Sequence, residues 1–228
     1  IPAGTGGPNP EDYVAPPRDP SRYDGPEALV DRAEAARGHS RSHSALWPVV
    51  VLKTSAGEIK LRLDRERAPI TVANFLEYVQ DGFYDGTIFH QVQKGFAIAG
   101  GGYTEQFKAK KTRAPIRNEA DNGVKNGPKT VAMMRFDTID SATSQFLVNL
   151  AANADLDHKS REFPAAGEKD EYGYCVFGEV IDGWEVVQQI AEAKVEDTDQ
   201  FASAPVEPIV IHSARELNER YESARRGR

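Results

Sequence analysis

The segment WPVVVLKTSAGEIKLRLD, residues 47–64, restricts the fold more than any other part of the chain. An apolar run leads into a turn at Ala56 and Gly57, after which Ile59, Leu61 and Leu63 alternate with Glu58, Lys60 and Arg62. A period of two sends successive side chains to opposite faces, so the pattern predicts a β-hairpin with one face buried. Short strand patterns recur at 87–92, 97–99, 130–134, 145–150, 173–177 and in PIVIHS, separated by glycine and Asn-Gly turns. Only two stretches carry a strong helical period. In APITVANFLEYVQDG, Thr71 is the expected cap, and Val72, Phe75, Leu76 and Val79 form one stripe. In WEVVQQIAEAKV, Val186, Val187, Ile190 and Ala191 do the same. Many strands with two core helices predict a mainly β chain, a closed or nearly closed barrel with helical plugs rather than alternating βαβ units.

The flanks differ in character. Residues 1–46 are rich in Pro, Gly and Asp, and a short helix is expected from Pro26, with Leu29, Val30, Ala33 and Ala36 on one side and Gly38 at its end. Residues 214–228, ARELNERYESARRGR, read as a polar helical tail. A chain of 228 residues then holds one main domain, 47–213, with an extension at either end. The net charge of −7 repels phosphate backbones, and the basic runs KAKKTR and ARRGR are short enough to be a solvated loop and tail, so nucleic acid is not the expected partner. No apolar run of about 18 residues is present to span a membrane as a helix. Cys175 lies in an apolar run and reads as a buried small hydrophobe; a single cysteine makes no internal disulfide. The first residue, Ile1, gives the expectation of a processed periplasmic or secreted protein, with the cytoplasm as the alternative. His39 and His43 have a metal-compatible spacing but no third ligand nearby, and neither metal nor cofactor is expected. His90 reads as a hydrogen-bonded structural histidine, and the run Gly100 to Gly102 as a bulge or close backbone approach.

Four collinear stretches, FLEYVQDGFYDGTIFHQVQKGFAIAGGG, IRNEADNGVKNGPKTVAMMR, SATSQFLVNL and YGYCVFGEVIDGWEVVQQI, carry a resemblance to the cyclophilins, specifically their bacterial branch. The similarity runs from about Trp47 to Ser213. It implies an eight-stranded antiparallel barrel capped by two helices, with peptidyl-prolyl cis/trans isomerase activity in a groove on the barrel's outside. Rotation about a peptide bond faces a barrier of about 18–20 kcal/mol, and X-Pro bonds isomerise in roughly tens to hundreds of seconds. Lowering that barrier takes an apolar pocket for the proline ring, donors for one carbonyl, and a donor aimed at the prolyl nitrogen as it pyramidalises. No covalent step and no metal is required.

By motif position the resemblance implies that Phe96 and Leu147 are pocket walls, with Met133 behind them and Leu156 at the rim, while Gln145 holds the substrate backbone. The sequence departs from the pattern FHRVxxGFMxQGG in three ungapped places: the catalytic Arg is Gln91, the Met is Ala97 and the Gln is Ala99. The second Phe of SQFF is Leu147, the aromatic rim residue aligns with Asp155, and a position often held by His aligns with Tyr174. Arg135 is the nearest candidate for a substitute guanidinium, and Asp137, Asp140, Asp155 and Asp157 are candidates for an acidic rim. The expectation is an isomerase of reduced power acting on proline-containing segments of client proteins, with weak or no cyclosporin binding. The rival expectations are a non-catalytic proline-peptide module or chaperone, and an assembly element whose N-terminal strap lies over the groove.

Overall fold

The computed structural model describes residues 46–159 and 171–217. The expected N-terminal strap and helix, His39 and His43, and all but the start of the C-terminal tail lie outside the described residues.

The hairpin forms as expected from β1 (Val49–Thr54) and β2 (Gly57–Leu63), with Val49 opposite Arg62 and Thr54 opposite Gly57. Helix α1 (Pro69–Gln80) follows, then β3 (Thr87–Gln93), β4 (Ala97–Thr104), β5 (Thr130–Met133), β6 (Phe146–Asn149) and β7 (Val176–Asp182). Helix α2 (Trp184–Ala191) leads to two short strands, β8 (Val195–Glu196) and β9 (Ala204–Pro205), paired with each other, and to β10 (Ile209–Glu216). Eight of these strands close into an antiparallel barrel in the order β1-β10-β3-β4-β6-β5-β7-β2. Closure leaves no unpaired strand edge, which is how a mainly β chain avoids a template for aggregation.

Inside the barrel the residues Val50, Leu52, Ile59, Leu61 and Leu63 of the hairpin meet Phe89, Ile98, Phe146 and Phe177 from the other strands. Both helices turn their apolar sides into the same core, α1 through Val72, Phe75, Leu76 and Val79, α2 through Val187 and Ile190. Phe75 is the hub: its ring centroid lies 5.0 Å from that of Tyr84, 5.1 Å from Phe177 and 5.7 Å from Phe146.

Several expectations are corrected. Thr71 does not cap α1, because Pro69 already occupies the first helical position. The orphan amides are met instead by a carboxylate distant in sequence: Glu119 accepts from Ile70 N–H at 3.2 Å, from Thr71 N–H at 2.8 Å and from the Thr71 hydroxyl at 2.8 Å. The strand expected at 173–177 starts only at Val176, since Gly173 sits at φ +83° and turns the chain. The last barrel strand extends to Glu216, so 214–216 are strand and not the beginning of a helical tail. The basic run 108–113 is not simply a solvated loop. Lys110 donates to the carbonyls of Phe83 and Asp85, and Arg113 binds the carboxylates of Glu77 and Asp81 at the end of α1.

Candidate functional site

Strand register assembles the site on the outside of the barrel. Gln91 stands opposite Ala99, Ala99 opposite Leu147, Leu147 opposite Ala132, and Ala132 opposite Val176. Directly paired residues of an antiparallel sheet share a face. The neighbouring row, Val92, Ile98, Val148 and Val131, fills the barrel core, so the Gln91 row faces outward. Its apolar members join Ala97 and Leu156 in a separate cluster, against which Phe96, Val124, Met134 and Tyr174 pack half-buried. Leu147 and Ala132 at the bottom are fully covered, so the solvent meets the cluster through Phe96, Met134, Val124 and Tyr174.

Six of the expected site residues, Phe96, Ala97, Ala99, Leu147, Leu156 and Tyr174, therefore come together from four separate parts of the chain. Met133 does not join them: it points into the barrel core, and its neighbour Met134 takes the outward place. The reason is strand alternation. Ala132 pairs with outward-facing Leu147, so the next outward residue along that edge is Met134, and this signal was present in the sequence. Val124 and Val176 were also missed, because Val124 stands alone in the polar stretch DNGVKNG and Val176 reads as ordinary core in an apolar run.

Three buried asparagines, also unread in the sequence, hold the loops around the cluster. Asn153 donates to the Phe96 carbonyl at 3.0 Å and to Asn149 Oδ1 at 2.6 Å. Asn149 passes the connection on to Asn126 Oδ1 at 3.1 Å, and Asn126 donates to the Leu156 carbonyl at 3.0 Å. Buried amides without partners are costly, and here Asn153 and Asn126 pin backbone that carries the cluster residues Phe96 and Leu156, with Asn149 linking the two.

The polar groups flank the apolar cluster. Gln91 is half-buried at the bulge in β3 between Phe89 and Gln91. Gln145 is half-buried two residues before Leu147, on the same outward side, and its carbonyl accepts from Met134 N–H at 2.9 Å. Arg135 is engaged elsewhere: its Nε donates to the Gly173 carbonyl at 2.9 Å and its guanidinium lies 5.1 Å over the Tyr174 ring. The acidic rim is smaller than expected. Asp140 accepts from Asn118 N–H at 2.8 Å and Asp157 from Asn126 N–H at 2.7 Å, which gives both structural work. Asp155 does project into solvent, its side chain 91% exposed beside Lys159 at 3.7 Å.

Two buried titratable groups lie close to the site. His90 precedes Gln91 and packs between the rings of Tyr103 and Phe201, at 5.0 Å and 4.8 Å. Burial drives its pKa down to about 3, so the imidazole is neutral near pH 7. Contrary to expectation its Nδ1 finds no hydrogen-bond partner among the described residues. Burial pushes the Cys175 thiol up to about 12, which makes it no nucleophile. Among the described residues no group of three or more His, Cys, Asp or Glu is arranged to hold a metal ion.

The fold and the outer cluster define a cyclophilin-like barrel, and comparison with known proteins places it. The family model of cyclophilin type peptidyl-prolyl cis-trans isomerases matches residues 49–216, and the chain belongs to that family. It is 48% identical over 166 residues to peptidyl-prolyl cis-trans isomerase A of Dickeya dadantii, covering 73% of this chain and 83% of that one. It is also 48% identical over 168 residues to a peptidyl-prolyl cis-trans isomerase of Streptomyces antibioticus, covering 74% and 98%. A crystal structure of a Cryptosporidium parvum cyclophilin type isomerase in the presence of the dipeptide Ala-Pro has the same fold, with TM-score 0.60 and 22% identity over 75% of this chain and 99% of that one.

Proposed function

We propose that the chain is a peptidyl-prolyl cis/trans isomerase of reduced catalytic power, acting on proline-containing segments of unfolded or flexible proteins and so assisting their folding. The observation that carries this reading is the outward row from Gln91 through Ala99 to Leu147, beside Phe96 and Gln145. An apolar cluster offers the prolyl ring a place out of water, Gln145 is the group to hold the peptide backbone, and Gln91 stands where a donor to the prolyl nitrogen is needed. Both amides are neutral, so amide rotation proceeds here without a charged donor.

The expected deficit follows from that chemistry. A hydrogen bond to or from a charged group contributes about 1.5–3 kcal/mol against about 0.5–1.5 for a neutral one, so Gln91 forfeits roughly 1–2 kcal/mol of transition-state stabilisation. At about 1.4 kcal/mol per decade this is a loss on the order of tenfold to thirtyfold. Arg135, already bound to Gly173 and stacked on Tyr174, makes a poor replacement.

Magnetisation exchange between the cis and trans forms of an Ala-Pro peptide tests the reading. Exchange above the thermal rate that disappears in Phe96→Ala, and that rises about tenfold or more in Gln91→Arg, supports the enzyme. Binding without added exchange, both in the parent protein and in the Gln91→Arg variant, leaves the groove as a non-catalytic peptide module.

A further inference from the structure

The backbone that leads into Gln145 is held by its carbonyls. Residues 143–145 belong to no strand, since β6 begins only at Phe146. Four successive carbonyls are nevertheless met, each from a different segment of the chain. Ile116 N–H donates to the Ala142 carbonyl at 3.0 Å, and Met134 N–H to that of Gln145 at 2.9 Å. Between these two the donors are side chains. Asn74 Nδ2, on α1, reaches the Thr143 carbonyl at 2.7 Å, and the Tyr84 hydroxyl, in the turn after α1, reaches the Ser144 carbonyl at 2.8 Å.

Neither side chain is what the core would select for itself. Asn74 and Tyr84 are both fully buried. The Tyr84 ring lies 5.0 Å from that of Phe75 and 5.7 Å, edge-on, from that of Phe146, contacts that a phenylalanine would keep. Asn74 leaves its own Oδ1 without a hydrogen-bond partner among the described residues. An unpaired buried oxygen is a cost that an apolar residue on α1 would avoid. Both donors are therefore explained by the carbonyls they hold and not by the packing around them. Past those carbonyls the Gln145 side chain lies directly on bare backbone, since a Cβ built on Gly102 would stand 2.5 Å from its Cγ.

We propose that Asn74 and Tyr84 are positioning residues of the site: reaching out from the core, they hold the Thr143 and Ser144 carbonyls and so fix the backbone from which Gln145 meets the peptide. A stretch outside any strand keeps one conformation only through bonds of this kind, and a group presented from a fixed frame loses less freedom when its ligand arrives. The inference rests on the reading of Gln145 as the group that holds the substrate backbone.

Tyr84→Phe, Asn74→Ala, Gln145→Ala and the two double variants with Gln145→Ala test it against an Ala-Pro peptide, with exchange lineshapes giving affinity and bound exchange rate separately per folded molecule. Tyr84→Phe and Asn74→Ala are each expected to weaken peptide affinity about threefold to tenfold, the effect of one hydrogen bond, with the loss falling on affinity rather than on the exchange rate of bound peptide. The backbone and side-chain amide resonances of Gln145 should shift in both. In the Gln145→Ala background neither change should weaken binding further, whereas general loosening of the core would weaken it in either background. Unchanged affinity in one variant strikes that residue from the role, and an equal loss with and without Gln145 overturns the inference. Should Gln145→Ala alone leave affinity intact, the reading of Gln145 fails and the inference with it; a defect in Gln145→Ala beside normal Tyr84→Phe and Asn74→Ala variants sinks the inference alone.

Discussion

The two faces of one wall, β3-β4-β6-β5, obey different rules. The inward row of Val92, Ile98, Val148 and Val131 is large, apolar and sealed within the main core. One residue along each strand, the outward row of Gln91, Ala99, Leu147 and Ala132 belongs to a thin layer, covered by half-exposed Phe96, Met134 and Tyr174. Interiors are packed to crystal density, so a lost methylene inside is felt throughout the barrel. The outer layer has solvent on one side, where neighbours can shift and side chains can change character. Departures from the family pattern at Gln91, Ala97 and Ala99 all fall on that outer layer, and none falls on the inward row that fills the barrel.

The sharpest way to break the contrast is to damage each face and compare. Phe75→Ala should cost about 3–5 kcal/mol in a urea melt, because the hub of the aromatic core cannot collapse around the void. A cost below about 1 kcal/mol would mean that the core is far looser than its contacts imply.

Acid should probe the histidine that lies behind the wall. The folded-state pKa of His90 is about 3 against 6.5 in a free chain, so its stability contribution is complete above pH 6.5 and is lost as pH falls towards 3, at about 1.4 kcal/mol per unit. Glu119, whose pKa burial raises, acts in the opposite sense just above its ordinary value. Asp85, whose pKa is lowered chiefly by its hydrogen bond to Arg215, destabilises on acidification only below the ordinary carboxylate range. Comparing His90→Leu with the parent isolates the histidine: between about pH 6.5 and 4.5 the variant's stability should fall less steeply by one proton. Equal slopes would place a proton on the buried ring.

Smaller effects belong to the outer layer. Gln91→Arg, expected to accelerate exchange by about tenfold or more, should change stability by less than about 0.5 kcal/mol. A large stability loss would show that the bulge at Gln91 is part of the fold's foundation. Met134→Ala removes one of the half-buried side chains packed on the outer cluster and should tighten binding of an Ala-Pro peptide by a factor of about two to five, the share of one partly displaced side chain. Weaker binding would mean that Met134 grips the ring instead of covering its place. Calorimetry should find weak or no cyclosporin binding, since the rim position beside Leu156 is the exposed Asp155 and not an aromatic ring; tight binding would contradict that reading of the rim.

Much of the barrel was legible from local pattern. The hairpin of β1 and β2 and the stripe of α1 follow from periods of two and 3.6, and both stand where the pattern put them. The start of β7 was misread because Gly173, Tyr174 and Cys175 look strand-like, yet the turn at Gly173 brings Tyr174 N–H to the Leu156 carbonyl at 2.9 Å and delays the strand. At the site, ungapped motif positions brought Phe96 and Leu147 into view. Met133 was misassigned because a motif supplies position and not facing, and Glu119 escaped notice because its partners, Ile70 and Thr71, lie far away along the chain.

By itself the sequence determined the kind of the barrel's strands and of the two core helices, since hydrophobic period and glycine turns act over a few neighbouring residues. Only the tertiary structure decided which side of each strand became core and which became site, which carboxylate closed α1, and that the Gln145 side chain packs against Gly102. The physical reason is that facing and close approach depend on partners across the barrel. Gln145 lies over Gly102 because β4 and β6 pair in one register, and a shift of one residue would turn every outward side chain in.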